Sequence, residues 1–206
     1  MDISQKILGL LKEKVKPAIG CTEPIAVALA AAKAREEIKG KIKEIKVTVS
    51  SNIYKNGMHV AIPGTSESGI IFATALSLVA GDADLGLEVL RDTNEEDIKE
   101  AKKLIDLIKV KPDDNKPKVY VKVKLLTANE EASVIIKKAH DNITKIKVNG
   151  EVKIQNYANN NKEEVLDITN LNLSKLREEI DKISHQNLEF MLEGVEMNLA
   201  MAQVGL

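Results

Sequence analysis

The 206 residues are 44% hydrophobic and 30% charged, with 30 basic against 31 acidic side chains and a formal net charge of −1. That balance is ordinary for a globular chain and gives no reason to expect nucleic acid or an anionic membrane as a partner. A single cysteine excludes an internal disulfide, no apolar run reaches the length of a membrane span, and the first residues do not form a signal peptide, so a cytoplasmic location is expected. Only Tyr54, Phe72, Tyr120, Tyr157 and Phe190 are aromatic, so the core must be aliphatic and stacking on bases or sugars is not expected.

Ile3, Ile7, Leu8, Leu11 and Val15 recur at helical spacing and predict an amphipathic first helix that Pro17 ends. A loop over 18–23 leads into a second helix from Pro24 to Lys39, closed by Gly40. Its opening run, Ile25 to Ala32, has no polar side chain for eight positions and predicts burial on most sides. Pro24 suits the first helical position, where no backbone N–H is needed. Ile45, Val47 and Val49 alternate with polar residues and predict a strand with one wet face. Asn52 to Thr65 reads as a loop or broken helix, followed by a buried helix from Glu67 to Ala80 that Gly81 stops.

Asp84 to Leu90 predicts a short helix, and Thr93-Asn94-Glu95-Glu96 opens another in capping-box style, with Ile98, Ala101, Leu104, Ile105 and Ile108 as its apolar stripe. Pro112 to Pro117 reads as a charged linker. The period then alternates: Val119, Val121, Val123 and Leu125 face one way, and Lys118, Tyr120, Lys122 and Lys124 the other. Further strands are expected over 131–139, 143–148 and 151–157. Asn149-Gly150 marks a hairpin, for which apolar matching favours a three-residue loop pairing Ile146 with Val152. Tyr157 to Asn161 reads as a polar loop. Two helices, over 173–184 and 187–203, close the chain, with Leu176, Ile180, Ile183, Leu188, Met191, Leu192, Val195 and Leu199 as core candidates. Together these predict an α+β fold, helices packed on a largely antiparallel sheet, with a domain over 1–170 and the helical start of a second over 171–206.

Cys21 stands immediately before a helix start, where the dipole favours thiolate over thiol. It reads as a nucleophile, a metal ligand or a small residue packed under a helix end. Pro63-Gly64-Thr65-Ser66 precedes an apolar helix, and free N–H groups there suit a carboxylate, or else form an ordinary turn and cap. Asn52 and Asn56 offer amides that donate and accept at once; Lys55 can pair with a carboxylate or act as a base. Glu23 is a helix-end acid or a site carboxylate. His140 and Asn142 end a predicted strand. No spacing suggests zinc, and no nucleotide-type phosphate loop occurs.

Several stretches together resemble the amino-terminal half of the L-cysteine desulfidase family, related to the iron–sulfur L-serine dehydratases. They are Pro17 to Pro24, containing Gly20-Cys21-Thr22-Glu23-Pro24; Ser50 to Met58, with Asn56-Gly57-Met58; Ile62-Pro63-Gly64-Thr65; Gly81 to Leu90; and His140-Asp141-Asn142-Ile143. Ser51, His59 and Ala61 stand where the family commonly has glycine, and Asp141 where it usually has threonine.

The resemblance implies elimination of sulfide from L-cysteine, or of water from L-serine, to give pyruvate and ammonia. It implies a 4Fe-4S cluster with Cys21 as one ligand and the remaining cysteines in a missing carboxy-terminal half or partner chain. Lys55 and His140 are then catalytic candidates, and Thr22, Glu23, Asn52, Asn56, Gly64, Thr65 and Asn142 bind the small amino-acid substrate. The chain is expected to be a truncated or split product, inactive in isolation, and able to dimerise through exposed residues such as Met191, Val195, Met197 and Met201 on its last helix. The alternative reading is a non-catalytic module that binds a small amino acid or serves a regulatory interaction.

Overall fold

A computed structural model describes residues 2–155 and 171–205. It divides into two units, one over 18–155 and one made by 2–17 together with 171–205.

In the larger unit, helix α2 (Thr22–Glu36) is buried at every position from Pro24 to Ala32. Pro24 occupies the third helical position, not the first, because Cys21 is the N-cap; its missing N–H still falls among the unpaired donors of the first turn. The helix ends at Glu36, before the expected Lys39, and Gly40 lies beyond it with a positive φ of 86°.

The sheet has six strands: β1 (Glu44–Ser50), β2 (Ile108–Asp113), β3 (Tyr120–Leu126), β4 (Glu131–Lys137), β5 (Ile143–Val148) and β6 (Glu151–Gln155). Their order is β2-β1-β3-β4-β5-β6, with β1 and β2 parallel and every other pair antiparallel. The fold is therefore α+β on a largely antiparallel sheet. Alternation puts Val47, Val123, Val134 and Ile146 on the face that packs with α2 and with α4 (Gly69–Ala80). Alanines along α2 let α4 approach closely, and the Ser77 hydroxyl of α4 donates to the Ala28 carbonyl.

Three local expectations are refined or corrected. Of the loop or broken helix expected from Asn52 to Thr65, Asn52 to Gly57 belongs to a helix, α3 (Ser51–Gly57), whose N-cap Ser50 accepts from the Ile53 amide. Next, the stripe from Ile98 to Ile108 is not one helix. Helix α5 (Glu95–Lys102) has the expected start, with Asn94 and Asp97 as a reciprocal capping box. It stops at Lys102 because Ile108 and Val110 pair beside Ile45 and Val47 in a parallel strand, the sheet edge tolerating Pro112.

The third is the hairpin register. Val148 pairs with Glu151 across a two-residue turn, with Asn149 at φ 50° and Gly150 at φ 85°. Positive φ at both turn residues matches the twist of the flanking strands. A bulge after Ile146 then brings that residue opposite Ile154, so apolar matching is recovered one step further along. The expected loop over 157–161 and the end of the strand over 151–157 lie outside the described residues.

The smaller unit contains α1 (Ile3–Lys14), α6 (Leu173–Ile180) and α7 (His185–Gly205). Ile7, Leu8 and Ile183 form its core, flanked by Leu11, Leu176, Leu188 and Phe190. Ile180, Leu192, Val195 and Leu199, expected in the core, are exposed, as are Met197 and Met201. The reason lies in α7 itself. It carries apolar residues around most of its circumference, whereas among the described residues only Leu188 and Phe190 of α7 flank that core. Among the described residues no helix is long and apolar enough to cross a membrane.

Glu179 is buried in this unit, accepting from Lys182 at 2.8 Å and lying 3.1 Å from Lys175. The hydrogen bonds from Lys182, then Lys175, hold its carboxyl below the usual glutamate range. A carboxyl lowered on folding contributes stability above its unfolded pKa and loses it as pH falls through the folded value. Helix melting followed by circular dichroism should therefore shift down on acidification below the ordinary glutamate value of 4.5, and Glu179→Gln should reduce that shift. An equal shift in the variant would remove Glu179 from the account.

Candidate functional site

Three separate stretches meet at the amino-terminal end of α2. Gly20 has φ +78°, and a Cβ there would fall 2.8 Å from Cγ of Pro63, so the loop before Cys21 and the Pro63-Gly64 turn touch where only glycine fits. A Cβ on Gly57, the last residue of α3, would meet the Ile70 side chain at 2.9 Å and Cβ of Glu23 at 3.4 Å. Asn56 Nδ2 donates to Glu23 Oε1 at 3.2 Å. The loop of Cys21, the end of α3 and the start of α4 are thus in direct contact.

Cys21 is exposed, and its side chain makes no capping hydrogen bond to α2. It is not a packing residue beneath the helix. Thr22 and Glu23 follow in the first turn, both half-buried. Asn52, Lys55 and Asn56 are exposed and, at spacings of three and four, share one face of α3. Glu23 is thereby tied to that face through Asn56.

The turn containing Gly64 and Thr65 uses its polar groups internally. Thr65 Oγ1 donates to the Ile62 carbonyl at 2.9 Å, and the amide of Glu67 donates back to Oγ1 at 3.0 Å. The Thr65 amide donates to the Ile62 carbonyl at 3.1 Å. The turn also lies further from the helix than the sequence suggests, because α4 begins at Gly69 with Ser68 as N-cap. Gly64 has φ +77° with open space where a Cβ would stand.

His140 and Asn142 lie in the turn between β4 and β5. The strand register puts this turn at the end of the sheet where β1 runs into α3, two strands away from β1. Asn142 Nδ2 donates to the Lys137 carbonyl at 2.8 Å, which closes the turn. Nε2 of His140 is buried and has no hydrogen-bond partner among the described residues. Of the departures from the family pattern, the Ser51 hydroxyl donates to Asp114, Ala61 bridges to Ser68, and His59 is exposed.

Sequence reasoning alone did not single out Gly20 as the residue that permits the Pro63 contact, although its place beside Cys21 was visible. The Glu23–Asn56 hydrogen bond joins residues 33 positions apart and has no local sequence signal.

No family model matches the chain, and no solved structure matches it. The chain is 40% identical over 207 residues to a UPF0597 protein of Clostridioides difficile, covering 97% of this chain and 48% of the relative. A UPF0597 protein of Clostridium botulinum is 38% identical over 210 residues, covering 100% of this chain and 48% of the relative. One from Caldanaerobacter subterraneus subsp. tengcongensis is 39% identical over 205 residues, covering 97% and 48%. The chain spans about half the length of the curated relatives it matches.

Proposed function

We propose that this chain supplies one wall of the active site of a lyase that eliminates sulfide from L-cysteine, or water from L-serine. The reading rests on one observation: an exposed Cys21 thiol adjoining the Glu23–Asn56 pair and the Pro63-Gly64 turn. In such an elimination the α-proton passes to a base while the β-substituent departs. The resulting enamine tautomerises and is hydrolysed to pyruvate and ammonia. Lys55 and His140 are the candidate bases. Thr22, Glu23, Asn52 and Asn56 would hold the ammonium and carboxylate, with the turn of Gly64 and Thr65 and the turn closed by Asn142 shaping the surroundings.

The residues present do not fit a 4Fe-4S cluster by themselves. Cys21 is the chain's single thiol, and the described residues contain no group of three or more His, Cys, Asp or Glu side chains placed to hold a metal. A cubane requires several thiolates. In this reading the other thiolates come from a carboxy-terminal half or a partner chain, a proposal consistent with relatives about twice as long. The donor count favours the second reading, a non-catalytic module that binds a small amino acid.

Anaerobic iron and sulfide reconstitution tests both readings. The chain alone should hold no stoichiometric cluster. A protein of the relatives' full length carrying this sequence should hold one and release pyruvate from L-cysteine or L-serine. Cys21→Ser should then reduce both by more than the roughly 10–100-fold typical of losing an outer-shell partner of a metal site. Full activity in Cys21→Ser would refute the lyase role for this residue. Stoichiometric L-serine binding by the chain, without turnover in the longer protein, would favour the binding module.

A further inference from the structure

The sheet face turned away from α2 and α4 is covered with lysine. Strand register aligns two rows across it. One runs Lys109, Lys46, Lys124, Ser133 and Lys147 through β2, β1, β3, β4 and β5. The next runs Lys111, Thr48, Lys122, Ile135 and Lys145 through the same strands. Four lysines in the first row and three in the second face solvent with no carboxylate among them.

The nearest acids sit at the ends of the strands and are already engaged: Glu44 and Glu131 at one end, and Asp113, two residues beyond Lys111, at the other, where it pairs with Lys116. Glu44 pairs with Lys46 and Lys109, and Glu131 with Lys124. Lys111, Lys122, Lys145 and Lys147 have no ion pair among the described residues. The net charge of −1 conceals this face because acids gather elsewhere: the segment 82–97 holds seven carboxylates and one arginine, Arg91, and runs through the helical layer.

We infer that this face binds the phosphate backbone of a single-stranded nucleic acid without reading its sequence. Strands about 4.8 Å apart make each row about 19 Å long from β2 to β5, a line of point charges suited to a line of phosphates. A protein partner fits poorly. Lysine is depleted at protein interfaces, and such interfaces need a buried apolar anchor, whereas this face offers only scattered aliphatic residues, Ile135 on β4 and Val152 on β6, with Lys145 and Lys147 of β5 between them. Among the described residues Tyr120 is the single aromatic residue on this face, and its ring lies under the ammonium groups of Lys116 and Lys137 at 5.3 and 5.6 Å. It offers no open platform for a base, so contact stays with the backbone. No described helix or ribbon projects from this face to enter the groove of a duplex. This inference is independent of the lyase reading.

The test is fluorescence anisotropy of a labelled thymidine 20-mer titrated with the full 206-residue chain. Saturable binding in 50 mM NaCl is expected. With four unpaired lysines engaged, log K should fall against log salt with a slope of about −3. Lys122→Glu with Lys145→Glu should weaken binding at least about tenfold at low salt. Lys99→Glu, on α5, should leave it unchanged. If the double variant loses its circular dichroism signal, Lys122→Gln with Lys145→Gln replaces it, with a smaller loss expected. Absence of binding, a slope near zero, or equal losses in the sheet and α5 variants would overturn the inference. Equal competition by poly-glutamate would overturn it in favour of an acidic partner, and tighter binding of a duplex would overturn the single-strand assignment.

Discussion

Gly69→Ala is expected to be the most destabilising single-methyl change in the larger unit. Gly69 opens α4 at φ +87°, and a Cβ there would lie 2.2 Å from the Met58 carbonyl oxygen. Left-handed backbone alone costs a non-glycine residue about 1–2 kcal/mol. The overlap adds to this because it involves backbone, which no rotamer change relieves. Moving Met58 would also disturb the Gly69 amide, which donates to the Val60 carbonyl at 2.8 Å. The combined loss should be about 3 kcal/mol or more, a fall in melting temperature of roughly 6–12 °C for a chain of this size. Gly64→Ala is the matched control. It has a similar φ of +77° and open space at the Cβ position, so only the backbone cost of about 1 kcal/mol applies. Thermal unfolding of the two variants decides the matter; equal losses would show that the Met58 contact has no energetic weight.

Leu76→Ala should cost about 2–5 kcal/mol, because the side chain is fully buried in α4 and its removal leaves a cavity. The surroundings cannot easily collapse into it. Ala73 and Ala75 beside it, and Ala28 and Ala30 on α2, are already small and bring the two helices close. Leu199→Ala makes the same chemical change on α7, where the side chain is 58% exposed. Little apolar area returns to water there, and the expected change is within about 0.5 kcal/mol. Urea unfolding of the two variants measures the contrast. A large loss in Leu199→Ala would mean that the α7 face is covered in solution by a second copy of the chain, which the protein-concentration dependence of unfolding would show.

The strong periodicities were legible in the residues themselves. Ile25 to Ala32 has no polar side chain, so burial of α2 follows whatever packs on it. Val121, Val123 and Leu125 alternate with lysines, so a strand with one wet face follows from the period alone. Thr93-Asn94-Glu95-Glu96 marks a helix start in capping-box style by its residue types alone, and the structure makes that box with Asn94 and Asp97. Cys21 at a helix start was legible from Pro24 and the apolar run that follows it.

The tertiary structure decided what depends on partners distant in the chain. Ile108 and Val110 continue a helical stripe in sequence, yet β1 offers them a parallel ladder, and the strand prevails. The hairpin kept a two-residue turn because backbone twist at Asn149-Gly150 sets the register, and the bulge after Ile146 restored the apolar match. Thr65 resembled a helix cap, but a turn closing on Ile62 and Glu67 took its hydroxyl. Charge shows the same division. Composition fixes a total near zero, and each strand fixes its own alternation of lysine and aliphatic residues. Only the strand order and register bring Lys46, Lys122 and Lys145 onto one face, because residues as much as 99 positions apart become neighbours through backbone hydrogen bonds that carry no mark in the side-chain sequence.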